Sequence, residues 1–329
     1  MKHRFLPYFV LLTLCLLSCH RIPLYDPDSS IYLKLELKLD MDVKVPDYVD
    51  LAAYPDLAAK VHCAKPTSVR ACFYDVETHR LAAEDFVGGD GGFIDLAAGT
   101  YDMIVYNLGN ENTRVTATET RGGAYAYTSG LNTRVKVTKA GTSQVREYDV
   151  IYEPDHLLVG RMEQVVIPVH ETGENKRVVI EDNMSTLLET YSFEMPNIQG
   201  AERIKTVDIY ITGQAPSRYL WDKRYPTRPV AIWFPAKIEP SAGRLYSVFN
   251  TFGKFPDSQS DVFLYVRMTN GQGGLFQWTF DVTDQFNNPD NTDHTIIIDD
   301  HVEIPEEGSD GGFTPTVNDW NAEIIDIQL

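Results

Sequence analysis

The chain has 329 residues with 43% hydrophobic content, enough for a substantial buried core and, by length, for two domains of ordinary size. Its 47 acidic residues outnumber 29 Lys and Arg, a formal net charge of -18. So acidic a surface repels nucleic acid and offers anionic lipid no polybasic patch, which excludes both as electrostatic partners.

Met1-Lys2-His3-Arg4 carries positive charge and leads into an apolar run over 5–17, too short for a permanent bilayer span. A small residue, Ser18, then precedes a cysteine. Leu16-Leu17-Ser18-Cys19 resembles the bacterial lipobox, in which the cysteine is diacylated and becomes the first residue of the mature protein. Residues 1–18 are therefore read as a signal peptide and Cys19 as the lipid attachment point. Each buried methylene contributes about 0.8 kcal/mol, so two or three acyl chains hold a protein firmly on a membrane. No second run of 18 apolar residues follows. Residues 19–30, with Pro23, Pro27, Ser29 and Ser30, read as a tether.

From 31 the pattern changes. Ile31, Leu33, Leu35, Leu37, Leu39 and Met41 alternate with Tyr32, Lys34, Glu36, Lys38, Asp40 and Asp42, a period of two that predicts a strand with one buried face. A less regular stretch over 43–65, with Pro46 and Pro55, has room for a short helix. Strands are then predicted over 69–76, 86–87, 93–96, 100–107, 114–118, 124–128, 133–138 and 145–152. Gly88-Gly89-Asp90-Gly91-Gly92 and Ala97-Ala98-Gly99 supply the turn chemistry between them. Pro154-Asp155-His156 reads as a boundary. Beyond it strands are predicted over 157–169, 177–181, 191–195, 204–212, 229–234, 244–252, 262–269, 275–282 and 294–299. The expected fold is all-β, with one β-sandwich over 31–153, a second over 154–304, and a linker and C-terminal strand over 305–329. In that last strand Ile325, Ile327 and Leu329 alternate with polar residues. It either completes its own sandwich or is donated to a neighbour.

Cys63 and Cys72 remain once Cys19 carries lipid. In an exported chain they are either a disulfide or two buried thiols. No Gly-x-Ser-x-Gly, Ser-x-x-Lys or His-Glu-x-x-His occurs, and His170-Glu171 lacks a second histidine one turn on. Asp299-Asp300-His301-Val302-Glu303 matches no specific metal spacing and reads as a solvated turn. The chain is expected to be no enzyme and to carry no cofactor or metal. One stretch invites a ligand: Tyr219, Trp221 and Tyr225 stand among charges between two strands and could stack on sugar rings, which makes a glycan-binding surface lipoprotein the alternative reading.

Three groups of residues carry a family resemblance. Val69-Arg70-Ala71-Cys72-Phe73-Tyr74-Asp75, then Leu96-Ala97-Ala98-Gly99-Thr100-Tyr101 running into a strand that ends at Asn107, resemble fimbrial anchor lipoproteins of Bacteroidales, the FimB type. Val207 to Gly213, Asn250-Thr251-Phe252-Gly253 and Phe280-Asp281-Val282-Thr283-Asp284-Gln285 are similar to a fimbrillin-like family from the same order, as is the tail from Gly311 to Trp320. The resemblance implies two transthyretin-like, Greek-key sandwiches, attachment to the outer membrane, and fimbrillin-like partners joined by strand addition. It also implies that stalk subunits lose their first strand to an arginine-directed protease. No arginine lies between Arg21 and Arg70, so the expected first strand is retained, as suits an anchor or accessory subunit. Surface-exposed lipoproteins of this phylum often carry acidic residues after the lipidated cysteine, whereas Cys19 is followed by His20-Arg21.

Overall fold

A computed structural model describes residues 30–139, 143–169, 178–222, 224, 228–256, 261–305 and 320–326. The signal peptide, Cys19 and the tether up to Ser29 lie outside them, as do Tyr225, Ile327 and Leu329.

The first strands are β1 (Ser30–Leu37), β2 (Ser68–Asp75), β3 (Leu81–Gly88), β4 (Gly91–Asp95), β5 (Gly99–Asn107), β6 (Arg114–Thr116), β7 (Tyr125–Tyr127) and β8 (Gly130–Lys139). Next come β9 (Val145–Tyr152), β10 (Leu158–Ile167), β11 (Val179–Thr186), β12 (Glu189–Met195), β13 (Ile198–Gln199), β14 (Ile204–Gln214), β15 (Ser217–Tyr219) and β16 (Val230–Pro235). The chain continues through β17 (Lys237–Glu239), β18 (Arg244–Thr251), β19 (Phe263–Asn270), β20 (Leu275–Asp281), β21 (Thr295–Ile297), β22 (Val302–Glu303) and β23 (Trp320–Asp326). Two short α-helices, α1 (Pro55–Val61) and α2 (Thr283–Asn287), interrupt them; α1 falls in the stretch expected to hold a helix.

The all-β architecture expected from the alternation is present, as two packed bodies. In the first, the order β1-β11-β10-β5-β2-β3-β4 closes on itself as a barrel. Closure runs through β1, which pairs in parallel with β11 (Tyr32↔Val179) and antiparallel with β4 (Tyr32↔Phe93). The period of two puts Ile31 and Leu33 wholly inside, among Val69, Phe73, Met103 and Leu158. Between β3 and β4 the ladder is reduced to Gly88↔Gly91. Gly91 has φ +100°, and a Cβ there would sit 1.9 Å from the Leu33 carbonyl oxygen, so only glycine lets β1 approach this turn.

In the second body, a seven-stranded sheet, β20-β19-β14-β16-β9-β8-β23, packs against a four-stranded one, β17-β18-β12-β21. Phe193, Phe234, Phe249, Leu264, Trp278 and Phe280 fill the space between them. Trp278 is thus core, as its shared face with Phe276 and Phe280 foretells. The far side of the larger sheet holds a smaller core of Val135, Val137, Val150, Tyr210, Phe263 and Tyr265. The sheet curls around it until β23, on the outer edge of β8, comes within 8 Å of β20 at the opposite end.

The topology corrects the domain division expected between 153 and 154. β8 and β9 precede that point yet belong to the second body's sheet, where β9 pairs in parallel with β16. β10 and β11 follow it yet return to the barrel, where β10 pairs with β5. The chain therefore crosses between bodies three times, before β8, between β9 and β10, and between β11 and β12. Two further ties hold them together. The small sheet β15-β7-β6 pairs early strands with a late one and covers the outer side of β2 and β5. The segment after β1 lays Val49, Leu57 and Tyr54 of its α1 region against Tyr246 and Val248 on β18.

Candidate functional surfaces

Among the described residues no group of three or more His, Cys, Asp and Glu side chains could hold a metal ion. Cys63 and Cys72 are free thiols. Residues alternate across β2, so Ala71 and Phe73 face the barrel interior with Cys63, whereas Cys72 faces the opposite core with Tyr74 and Ile104. Two sulfurs on opposite sides of one strand layer cannot join without moving the backbone, so the pairing entertained for them is absent from this fold. Burial raises both thiol pKa values, that of Cys72 to about 11, which keeps the sulfur protonated and unreactive at neutral pH.

The aromatic loop is present, but its faces are already occupied. Tyr219 on β15 lies 5.7 Å from the Tyr125 ring, and the Arg224 guanidinium sits 4.4 Å from its centroid. Arg224 is itself held by Asp222 at 2.8 Å. Trp221 is capped by Arg121 at 4.2 Å and packs on the Leu220 core, while Arg121 is bonded to the buried Asp102. Such stacking anchors the loop on the barrel. Of the expected platform, Tyr219 and Trp221 stand near each other in this cluster, and Tyr225 lies outside the described residues.

The polar centre that sequence reasoning missed lies where the chain first re-enters the barrel. Lys60, on α1, donates to Glu153 Oε2 at 2.7 Å and to the Val248 carbonyl at 2.8 Å. The other Glu153 oxygen accepts from the Asn250 backbone N–H at 2.8 Å. His156 Nε2 donates to the Lys60 carbonyl at 2.8 Å, and Asn107 Oδ1 accepts from the Leu158 N–H at 2.7 Å. Burial pushes the Glu153 carboxyl up from its ordinary range against the pull of Lys60, and pushes His156 down. These groups line an open cleft of about 600 Å³ with Tyr152 and Trp233. Nearly every donor and acceptor is satisfied by another segment of the same chain, so the cluster acts as a clasp between the bodies. Pro154-Asp155-His156 marks the place in the sequence. Its partners lie between 42 and 96 residues away and carry no local signal.

Removing one partner of a largely buried ion pair strands the other charge, at a cost of about 3–5 kcal/mol. Glu153→Leu is accordingly expected to lower the urea midpoint sharply, and Lys60→Met/Glu153→Leu to recover most of the loss. A double variant no more stable than the single one would show that the clasp works through packing alone.

Taken together, the closed barrel, the curled second sheet and the clasp define an all-β protein of two interlocked bodies. The chain belongs to the family described as "Domain of unknown function (DUF5119)", which matches residues 58–235, a little over half its length and across all three crossings. Its fold is similar to that of a crystal structure described as "a putative adhesin from Bacteroides ovatus", with 19% identity and a TM-score of 0.58 over 85% of this chain and 94% of that one. The fimbrial anchor protein Mfa2 from Porphyromonas gingivalis aligns at 10% identity with a TM-score of 0.46, over 82% of this chain and 90% of that one. No curated protein matches the chain in sequence.

Proposed function

We propose that this protein is an outer-membrane lipoprotein, attached through Cys19, that serves as an anchor or accessory subunit of a fimbria-like assembly and meets fimbrillin-like partners by strand addition. The observation that carries the reading is the condition of the two terminal strands. β1 is paired on both edges, so the barrel is closed by the chain's own strand and, among the described residues, leaves no vacant groove there. β23 lies at the outer end of its sheet beside β8, the kind of element through which sheets recruit one another. An arginine-free stretch from 22 to 69 leaves β1 uncut by an arginine-directed protease. The motifs that resemble fimbrial anchor lipoproteins fall on β2 and β5, two staves of that barrel. The adhesin-like fold and the lipobox fit a body displayed from a membrane.

The test is Cys19→Ala in cells. The protein should move from the membrane to the soluble fraction, and fibres that depend on it should be shed into the medium. Unchanged membrane retention would refute acylation. Soluble protein with fibres still attached would refute the anchoring role.

A further inference from the structure

The outer face of the barrel is covered unevenly. Behind β2 and β5 it is sealed by the small sheet β15-β7-β6, which buries Cys72, Tyr74 and Ile104. The half formed by β11, β1, β4 and β3 has no such cover among the described residues, and it carries apolar side chains where the period of two calls for polar ones. Val179, Tyr32 and Phe93 stand side by side in register across three adjacent strands. The Tyr32 and Phe93 rings meet edge to face at 5.0 Å. Phe86 stands on the other arm of the β3–β4 hairpin, two residues from its Gly88↔Gly91 bridge. Val179, Phe93 and Phe86 are 55%, 52% and 57% exposed. The next row along is charged, with Lys34 and Glu181 paired at 2.9 Å, so the apolar row has a polar rim. The Arg70 guanidinium stands 5.9 Å from the Phe86 ring centroid at one end, and an exposed apolar row of this kind marks a contact surface.

We infer that this row is the seat of the protein on its membrane: Phe86, Phe93, Tyr32 and Val179 rest in the interfacial layer of the lipid surface from which the chain hangs. The inference rests on the anchored reading above, and the position of the row argues for lipid as its occupant. Ser30 follows Cys19 by eleven residues, which even fully extended span no more than about 40 Å. Tyr32 is two residues further on, so the strip occupies the part of the body that the tether holds nearest to the bilayer. Phenylalanine and tyrosine on a surface are side chains suited to the headgroup boundary. Confinement by the acyl anchor makes the second contact intramolecular, so a strip too small to bind membranes alone can still set orientation. The net charge of -18 gives no electrostatic route to the same end. The seat would fix which way the second body and β23 point from the surface.

The experiment separates seating from anchoring. Full-length acylated protein carrying a benzoylphenylalanine photoprobe in place of Phe86 is reconstituted in phosphatidylethanolamine–phosphatidylglycerol vesicles and irradiated. A second preparation carries the probe in place of Val145, 44% exposed on β9 in the other body. Position 86 should yield at least fivefold more lipid adduct than position 145. Adding Phe93→Glu and Val179→Glu should bring that yield down to the level at 145, without changing the far-ultraviolet circular dichroism or the pelleting with vesicles. Equal adduct yields at 86 and 145, or crosslinking from 86 into a second copy of the chain, would overturn the inference. If the natural protein fails to pellet, the anchored reading has failed. The mature chain coupled through Cys19 to a maleimide phospholipid then still reports on the row.

Discussion

Leu33→Asp should abolish cooperative folding of the barrel. Leu33 is fully buried at the middle of β1, with Ile31 and Leu35 on the same inward face and the Gly91 turn pressed against its carbonyl. Truncation to alanine would already cost about 2–5 kcal/mol through lost transfer energy and the cavity left behind. A carboxylate adds the cost of burying charge without a partner, and that total approaches the whole stability of an ordinary domain. The position matters beyond its burial, because β1 is the stave through which β11 and β4 are joined. A surface leucine would cost almost nothing, whereas one in β1 disrupts two ladders together. Thermal unfolding followed by near-ultraviolet circular dichroism should show no cooperative transition for the variant. A chain lacking 30–37 should likewise fail to fold alone, and a synthetic peptide of residues 30–41 should restore it. The same peptide with Leu33→Asp should not. A well-folded Leu33→Asp protein would show that β1 is peripheral and remove the main support for a self-filled barrel.

The inward face of β1 was legible because it depends only on the chain's own period. Alternation over 31–41 requires six apolar side chains on one side of a strand, and they are found facing a core. The glycine cluster at 88–92 was legible for a similar reason, since a positive φ and a close backbone approach both demand glycine. Partner choice was not legible. Lys34 meets Glu181 across 147 positions, and nothing within either segment announces that β1 pairs in parallel with β11. The interchange of β8–β9 with β10–β11 escaped for the same reason: each strand satisfies the same pattern on whichever sheet it joins. The aromatic loop shows a different limit. Tyr219 and Trp221 advertise flat apolar faces, but the guanidinium groups that cover them are set by tertiary folding, and Arg121 lies a hundred residues before Trp221. The clasp of Lys60 and Glu153 was hidden by composition, because a chain this acidic offers too many carboxylates for any one to stand out.

Deleting residues 313–329 should lower the melting temperature by more than ten degrees while leaving a monomer. β23 forms a seven-residue antiparallel ladder with β8, from Trp320↔Lys139 to Asp326↔Thr133. At about 1 kcal/mol net per hydrogen bond, the ladder alone contributes on the order of 5 kcal/mol. Its removal also takes out the wall between β8 and β20 behind which Val135, Val137, Phe263 and Tyr265 are fully buried. One kcal/mol corresponds to about 2–4 °C in a domain of this order of size, so the two effects together exceed ten degrees. The truncated chain should also bind a hydrophobic dye that the full chain does not. An antiparallel ladder on a sheet edge is satisfied equally well by a strand from a neighbouring chain. The stretch from 306 to 319 that precedes β23 includes Gly308, Gly311 and Gly312, and the pairing could be made within one molecule or across to the next. The full-length protein should therefore exchange into dimers at high concentration after mild heating, with the 313–329 deletion abolishing the exchange. If the truncated protein melts where the full chain does, β23 is no part of its own fold, and the strand is free for a partner from the outset.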